Sequence, residues 1–466
     1  MIELGLVRIH KLLAHTPLPW RAIHVAGTNG KGSVCAYVSA ILSHYNKSDL
    51  IHHTGHKPLV HARFTSPHLV DRWDCITIDE RTIPKSVFDE VEAQVKQRNE
   101  SQGIGASEFE VLTATAFEIF TRSKVDIGVV EVGMGGRLDS TNVIGQIPSD
   151  EDLQGWLRDI QAYRPPPLVT AITSIGLDHQ KFLGSSITDI AAEKAGILKS
   201  GVPVVASRQD DKQVEKVIEE KAKSLQAGEL TFVSNLTTFR DVWVQNGQTV
   251  NSAVDDSIIQ SRWPNGAISV QLVWKALAQL GRLIDAPQPL LFQTLKKFCQ
   301  IPGRTRWEGR LETIDVSSVA GSDSTALLDG AHNAQSAYML RKHLDGQDES
   351  KPTNWVVAAS QGKDVQGMLR ILLRPGDNVF AVEFGAVDGM PWVKPQESLD
   401  IVSNASALQS GQHQAYGRDI VGALKNASED GRQHERRVVI AGSLYLVGDV
   451  LRLLRQFERG GQTEET

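Results

Sequence analysis

The chain has 466 residues, 41% of them hydrophobic and 22% charged, with a net charge of −6, which is enough material for two domains with separate cores. No Lys/Arg-rich block occurs, so nucleic acid and anionic membranes are excluded as expected partners. Three scattered cysteines, Cys35, Cys75 and Cys299, show no paired spacing, which argues against a disulfide framework or a structural zinc and for a reducing compartment.

The amino terminus has neither a basic region nor a long apolar segment, and the longest apolar runs are strand-sized. A cytosolic, monomeric protein is expected. The first strand, Ile23–Ala26, runs into Gly27-Thr28-Asn29-Gly30-Lys31-Gly32-Ser33, and Val34, Val38, Ile41, Leu42 and Tyr45 then recur at helical spacing. Strand, glycine turn and helix together suit a bound polyphosphate: glycines let backbone N–H groups approach, and the helix start adds its positive dipole end. Lys31 is placed to reach terminal phosphates and Ser33 to hold magnesium. Gly32 separates the two, so the turn is a variant P-loop. Packing a helix on a sheet is the bland alternative. Ser43 to Arg63, with five histidines, reads as an exposed polar loop because no helical pair of ligands stands beside a carboxylate.

The next strand, Ile127–Val132, carries Glu131 at its carboxyl end, followed by Gly133-Met134-Gly135-Gly136-Arg137-Leu138-Asp139. A carboxylate in so apolar a run needs a cation or hydrogen bonds, so Glu131 is a candidate magnesium ligand, with pairing to Arg137 as the structural rival. Gly145 to Pro167 reads as a surface insertion. A strand over Leu168–Ile175 leads to Asp178-His179, and His179 is a second candidate at a strand end. Ser186 or Thr188 is expected to cap a helix reaching Lys199, on which Lys194 is either exposed or functional. Val202–Ala206 is the fourth strand.

Asn265 and Arg304 flank the expected domain boundary, where Pro302-Gly303 is expected to end a helix. Residues 1–301 are expected to form one domain and 302–466 the other. Arg304 suits bidentate phosphate recognition. Four further strands are predicted at Ala326–Leu328, Trp355–Ala359, Val379–Phe384 and Val438–Ala441. Asp329 and His332, in Leu328-Asp329-Gly330-Ala331-His332-Asn333, either contact a nucleotide or amino acid or lie where Asp329 or Asn333 caps a helix. The tail from Gly460 is expected to be disordered. The alternation of strands and helices gives an α/β fold with largely parallel sheets.

These segments in order resemble the dihydrofolate synthase and folylpolyglutamate synthase family within the Mur ligase superfamily. The likeness rests on the variant P-loop, Phe64-Thr65-Ser66-Pro67-His68-Leu69, Glu131 to Asn142, Asp178 to Gly184, Glu193 to Ile197, Pro302 to Arg304, Asp329 to Asn333 and Gly442 to Leu446. It implies a P-loop, Mur-ligase-like ATP-binding domain with a parallel-rich sheet and a smaller Rossmann-like carboxy-terminal domain. By similarity, Ser33, Glu131 and His179 hold two magnesium ions, and Lys194 corresponds to a carbamylated lysine that becomes an anionic metal ligand. Gly27 to Ser33, Asn265, Arg304, Asp329 and His332 fall where the family contacts ATP. Thr65, Ser66, Pro67 and His68 correspond to its folate-site signature, and Ser443 to a contact for L-glutamate. The implied reaction activates a pteroate or folate carboxylate as an acyl phosphate, which the amino group of glutamate then attacks. Gly135 to Asn142 resembles the version in bacterial enzymes and fungal dihydrofolate synthases, and Ser107 to Thr113 the fungal dihydrofolate synthase pattern, so dihydropteroate is the expected acceptor, with folate chain extension or a bifunctional enzyme as the alternative. Where the family often has Glu-Arg-Ile, this chain departs, reading Trp73-Asp74-Cys75-Ile76.

Overall fold

A computed structural model of the chain describes residues 5–146, 164–233, 264–321, 323–409 and 411–461. Most of the expected insertion and the last five residues of the tail lie outside the described residues. Two compact units form, Met1–His68 with Trp73–Thr305 and Leu69–Arg72 with Arg306–Thr466.

The first unit carries eight strands: β1 (Arg21–Ala26), β2 (His61–Phe64), β3 (Ile76–Ile78), β4 (Arg81–Thr82), β5 (Ile127–Glu131), β6 (Val169–Ile172), β7 (Val204–Ser207) and β8 (Leu230–Val233). They lie in the order β4-β3-β2-β5-β1-β6-β7-β8. All neighbours are parallel except the β2-β3 and β3-β4 pairs. Side chains alternate across a strand, and here both faces are covered. Ile23, Val25, Ile127 and Val129 enter one core with helices Lys31–Tyr45, Pro264–Gln279 and Gln288–Arg304, while Ala22 and Val130 enter another with helices Lys85–Ser101 and Glu108–Arg122. Two-sided burial is why these strands read as nearly continuous apolar runs.

The second unit carries β9 (Glu312–Asp315), β10 (Thr325–Leu328), β11 (Thr353–Val357), β12 (Asn378–Ala381), β13 (His413–Ala415) and β14 (Arg437–Ala441). Their order is β13-β12-β11-β14-β10-β9, parallel apart from β9 against β10. All eight predicted strands form. Among the described residues, no helix is long and apolar enough to cross a membrane. Cys35, Cys75 and Cys299 are buried and form no disulfide.

Three local expectations are corrected. Ser43 to Arg63 is not an exposed loop: it holds the end of the P-loop helix, a helix Asp49–Thr54 and the buried strand β2. Two of the four β2 residues are polar, which hides the strand pattern. Acids stand beside both: His61 Nδ1 lies 3.1 Å from Asp79 Oδ1 and Arg63 Nη1 lies 3.6 Å from Glu80 Oε2. The helix capped by Ser186 stops at Lys194, and a tighter turn, Ala195–Ile197, replaces its expected last turn. Pro302 does not end its helix, which runs on to Arg304. A proline this close to the end deletes one hydrogen bond, and Thr305 N still closes on Ile301 O at 2.9 Å.

Candidate active site

The P-loop leaves β1 at Gly27, whose φ of 150° places it where only glycine is comfortable. A Cβ at Gly27 would also stand 1.8 Å from Thr173 Oγ1. The turn is shaped by the loop after β6: Thr28 N and Asn29 N donate to Ser174 O at 2.8 and 3.2 Å. Thr28 Oγ1 donates to Gly176 O at 3.0 Å and accepts from Gly176 N at 3.1 Å. Gly30 precedes the helix Lys31–Tyr45 in a left-handed conformation, and the Asn265 amide packs against it. Ser33 sits buried in the first turn of that helix, where backbone N–H groups have no intrahelical acceptor.

Lys31 Nζ lies 3.8 Å from Glu131 Oε1 and donates to Thr28 O at 3.3 Å. Glu131 is 5% exposed at the tip of β5, in register beside Val25 of β1. Its other oxygen accepts from Ser66 N at 3.2 Å, so the Thr65–His68 segment, with a cis Ser66-Pro67 bond, meets the same carboxylate. The rival pairing is absent: Arg137 engages Glu193 instead, with Nε and Nη2 donating to Oε1 at 3.0 and 2.9 Å.

Lys194 is buried, 4% exposed, and donates from Nζ to Gly27 O at 2.8 Å. Burial, aided by the charge of Lys31, pulls its amine down to about 7, against the pull of Asp178 and Asp139. His179 occupies the left-handed region at φ 52° and starts the short helix Gln180–Leu183, its side chain 46% exposed and Nε2 4.0 Å from Asp178 Oδ2. Among the described residues, no three His, Cys, Asp or Glu side chains gather closely enough to hold a metal alone. The donors around the P-loop are a hydroxyl and a carboxylate, hard oxygens of the kind that take magnesium together with phosphate oxygens.

In the second unit, Asp329 follows β10 directly and is buried, its Oδ2 accepting from Leu311 N at 2.9 Å and its Oδ1 from Ala331 N at 2.8 Å. Burial raises its carboxyl, while Arg310 and those amides oppose the shift. His332 Nδ1 lies 2.8 Å from Gly330 O. Asn333, not Asp329, caps the helix Ala334–Asp348, in a capping box with Ser336. Ser443 is buried, and its Oγ accepts from Tyr445 N at 3.1 Å at the start of the helix Leu444–Gly461.

Residues 312–453 match the family profile described as "Dihydrofolate synthetase, C-terminal domain". The chain is 34% identical to a Saccharomyces cerevisiae protein named dihydrofolate synthetase, over 97% of this chain and 98% of that one. It belongs to the dihydrofolate synthase and folylpolyglutamate synthase family. A Schizosaccharomyces pombe relative, a probable dihydrofolate synthetase, is 32% identical over 97% of this chain and 99% of its own. The fold is also that of a bifunctional folylpolyglutamate synthase/dihydrofolate synthase from Yersinia pestis complexed with AMPPNP and a Mn ion. That match has a TM-score of 0.69 at 24% identity, covering 97% of this chain and 94% of that one.

Two features of this family member escape a reading of the sequence. The Gly-Arg pair occurs twice within eight residues, at Gly303-Arg304 and Gly309-Arg310. Arg304 is exposed at the end of the first unit, whereas Arg310 lies in the second, its guanidinium packed against Gly330 and its charge acting on Asp329. The duplicated dipeptide was the available signal. The second is the Thr173–Gly176 loop, which shapes the P-loop through backbone carbonyls that side-chain identities do not announce.

Proposed function

We propose that the chain is an ATP-dependent ligase that adds L-glutamate to dihydropteroate, giving dihydrofolate, ADP and phosphate. The reading is carried by the full-length likeness to the S. cerevisiae dihydrofolate synthetase. The Lys31–Glu131 contact beside the Ser66 amide supports the assignment of roles.

The backbone of Gly27 to Ser33 cradles the ATP phosphates, with Asn265 steadying the turn through Gly30. By likeness to the family, Asp329, His332 and Arg304 are further contacts for the nucleotide. Ser33, Glu131, His179 and Lys194 are the residues that would hold magnesium, which when bound neutralises charge on the phosphates. A Lys194 amine near 7 is substantially neutral at physiological pH, the state that captures carbon dioxide as a carbamate.

The acceptor carboxylate, held at Thr65 to His68, attacks the γ-phosphorus. The bond to the β-γ bridging oxygen breaks, ADP leaves, and an acyl phosphate remains. Lys31 stabilises charge on the group in transfer. The glutamate amino nitrogen, with Ser443 on the amino-acid side, attacks the acyl carbon. Phosphate departs and the amine loses a proton. Exclusion of water preserves the acyl phosphate until that attack.

A product assay with purified protein, ATP, magnesium and L-glutamate separates the acceptors. Dihydropteroate is expected to give dihydrofolate and stoichiometric phosphate, with little product from tetrahydrofolate. Efficient extension of tetrahydrofolate with none of dihydropteroate would replace this reading by folylpolyglutamate synthesis, and product from both would mark a bifunctional enzyme.

A further inference from the structure

The Lys194 amine reaches Gly27 O of the P-loop from the end of the short helix Ile187–Lys194, which lies against the loop that follows Glu131. The two segments interlock through backbone. Arg137 N donates to Glu193 O at 2.8 Å. A Cβ on Gly136 would lie 2.7 and 2.8 Å from the carbonyl oxygens of Glu193 and Lys194, and one on Gly196 would lie 2.4 Å from the Arg137 Cβ. Such close approach has no slack, so a small displacement of either segment moves Lys194.

Asn142 lies at the centre of this interlock, 1% exposed. Its Nδ2 donates to Arg137 O at 3.0 Å on one segment and to Gly196 O at 3.2 Å on the other. Its Oδ1 accepts from Lys199 Nζ at 2.7 Å. Both donors and the acceptor are used, and the orientation of the amide is fixed because only the NH2 can face two carbonyls. No residue but asparagine supplies this pattern at this length. Aspartate keeps the contact with Lys199 but turns an oxygen toward two carbonyl oxygens.

We infer that Asn142 is a positioning residue for the ligase reaction: it pins the loop after Glu131 to the turn after Lys194, and so sets the Lys194 amine 2.8 Å from Gly27 O. It touches neither nucleotide nor acceptor. The inference rests on the role given to Lys194 above and adds the device that places it.

The test uses full-length Asn142→Asp and Lys199→Met, with Lys194→Ala as a control on the underlying reading. Expected for Asn142→Asp are a kcat lowered at least about thirtyfold, KM for ATP and direct ADP affinity within about threefold of the parent, and loss of the carbamate resonance that 13C-labelled bicarbonate gives in the parent. Lys199→Met removes the anchor on Oδ1, along with a charge that acts on His24, leaves both carbonyl contacts of Asn142, and is expected to show a smaller loss of kcat in the same direction. Should Asn142→Asp fail to fold, Lys199→Met carries the test alone. A folded variant with parental kcat and an intact carbamate signal overturns the inference, and so does a loss confined to KM or to stability. Parental activity in Lys194→Ala strikes the underlying reading itself, and a slow Asn142→Asp would then reflect the Glu131 loop and not Lys194 placement.

Discussion

Charge at single residues dominates the site. Lys31 and Glu131 face each other at 3.8 Å, both mostly buried, and each is the other's electrostatic partner before any substrate arrives. Replacing either by alanine should lower turnover by about two to four orders of magnitude while leaving a folded protein. Steady-state kinetics alongside circular dichroism checks this, and near-parental activity in either variant would remove it from the assigned chemistry. His24 shows the opposite use of a titratable group. It is fully buried in β1, with Nε2 2.9 Å from Thr141 Oγ1, and burial followed by the charge of Lys199 lowers its pKa to about 3. The folded chain therefore keeps His24 neutral, while the unfolded chain takes up a proton below its ordinary value near 6.5. The contribution is intact above that value and is lost as pH falls from about 6.5 toward 3, on the order of 5 kcal/mol across the window. Denaturant midpoints measured across that window should fall less steeply in His24→Gln than in the parent; parallel curves would contradict the assignment.

At the scale of elements, the loop after β5 behaves as a buckle. Asp139 accepts from Met134 N at 2.8 Å, Thr141 N at 3.0 Å and Thr141 Oγ1 at 2.5 Å, while Asn142 closes on the turn after Lys194. Burial raises the Asp139 carboxyl and these bonds oppose the rise, so the acid serves as a hub for hydrogen bonds inside the loop. Gly136 has little room, because its nearest neighbours are backbone atoms that cannot rotate away. Gly136→Ala is expected to cost about 1–3 kcal/mol of stability and to reduce kcat more than KM. Urea unfolding and kinetics together test this, and an alanine variant with unchanged midpoint and rate would show that the approach can relax. The helix carrying Lys194 is short, yet its start is firm: Ser186 and Asp189 form a capping box.

For the whole molecule, the expectation concerns coupling. An acyl phosphate exposed to water wastes ATP, so a ligase releases ADP at speed only when acceptor and glutamate are both present. ADP release should stay near background when either substrate is omitted and rise when both are supplied. ATP turnover indifferent to both would favour a switch or motor ATPase and sink the ligase reading. The family relationship covers 97% of the chain, so one such assay addresses both compact units as they occur together.

Composition and pattern alone determined much of this protein. Eight strands, the P-loop and the α/β class follow from apolar runs interrupted by glycine, because two-sided burial writes itself directly into sequence. The block from Glu131 to Asn142 was visible as a motif, but the partner of Glu131 was not. Arg137 is nearer in sequence, yet Lys31 is the cation that meets Glu131, since neighbouring parallel strands β1 and β5 bring their tips together. β2 was hidden because polar His61 and Arg63 interrupt its apolar pattern, and the acids beside them, Asp79 and Glu80, follow the next strand. The burial of Lys194, the choice of Arg310 over Arg304 as neighbour of Asp329, and the interlock at Asn142 were decided only by tertiary structure. Each depends on close approach between segments distant in the chain, and local propensity carries no record of such distances.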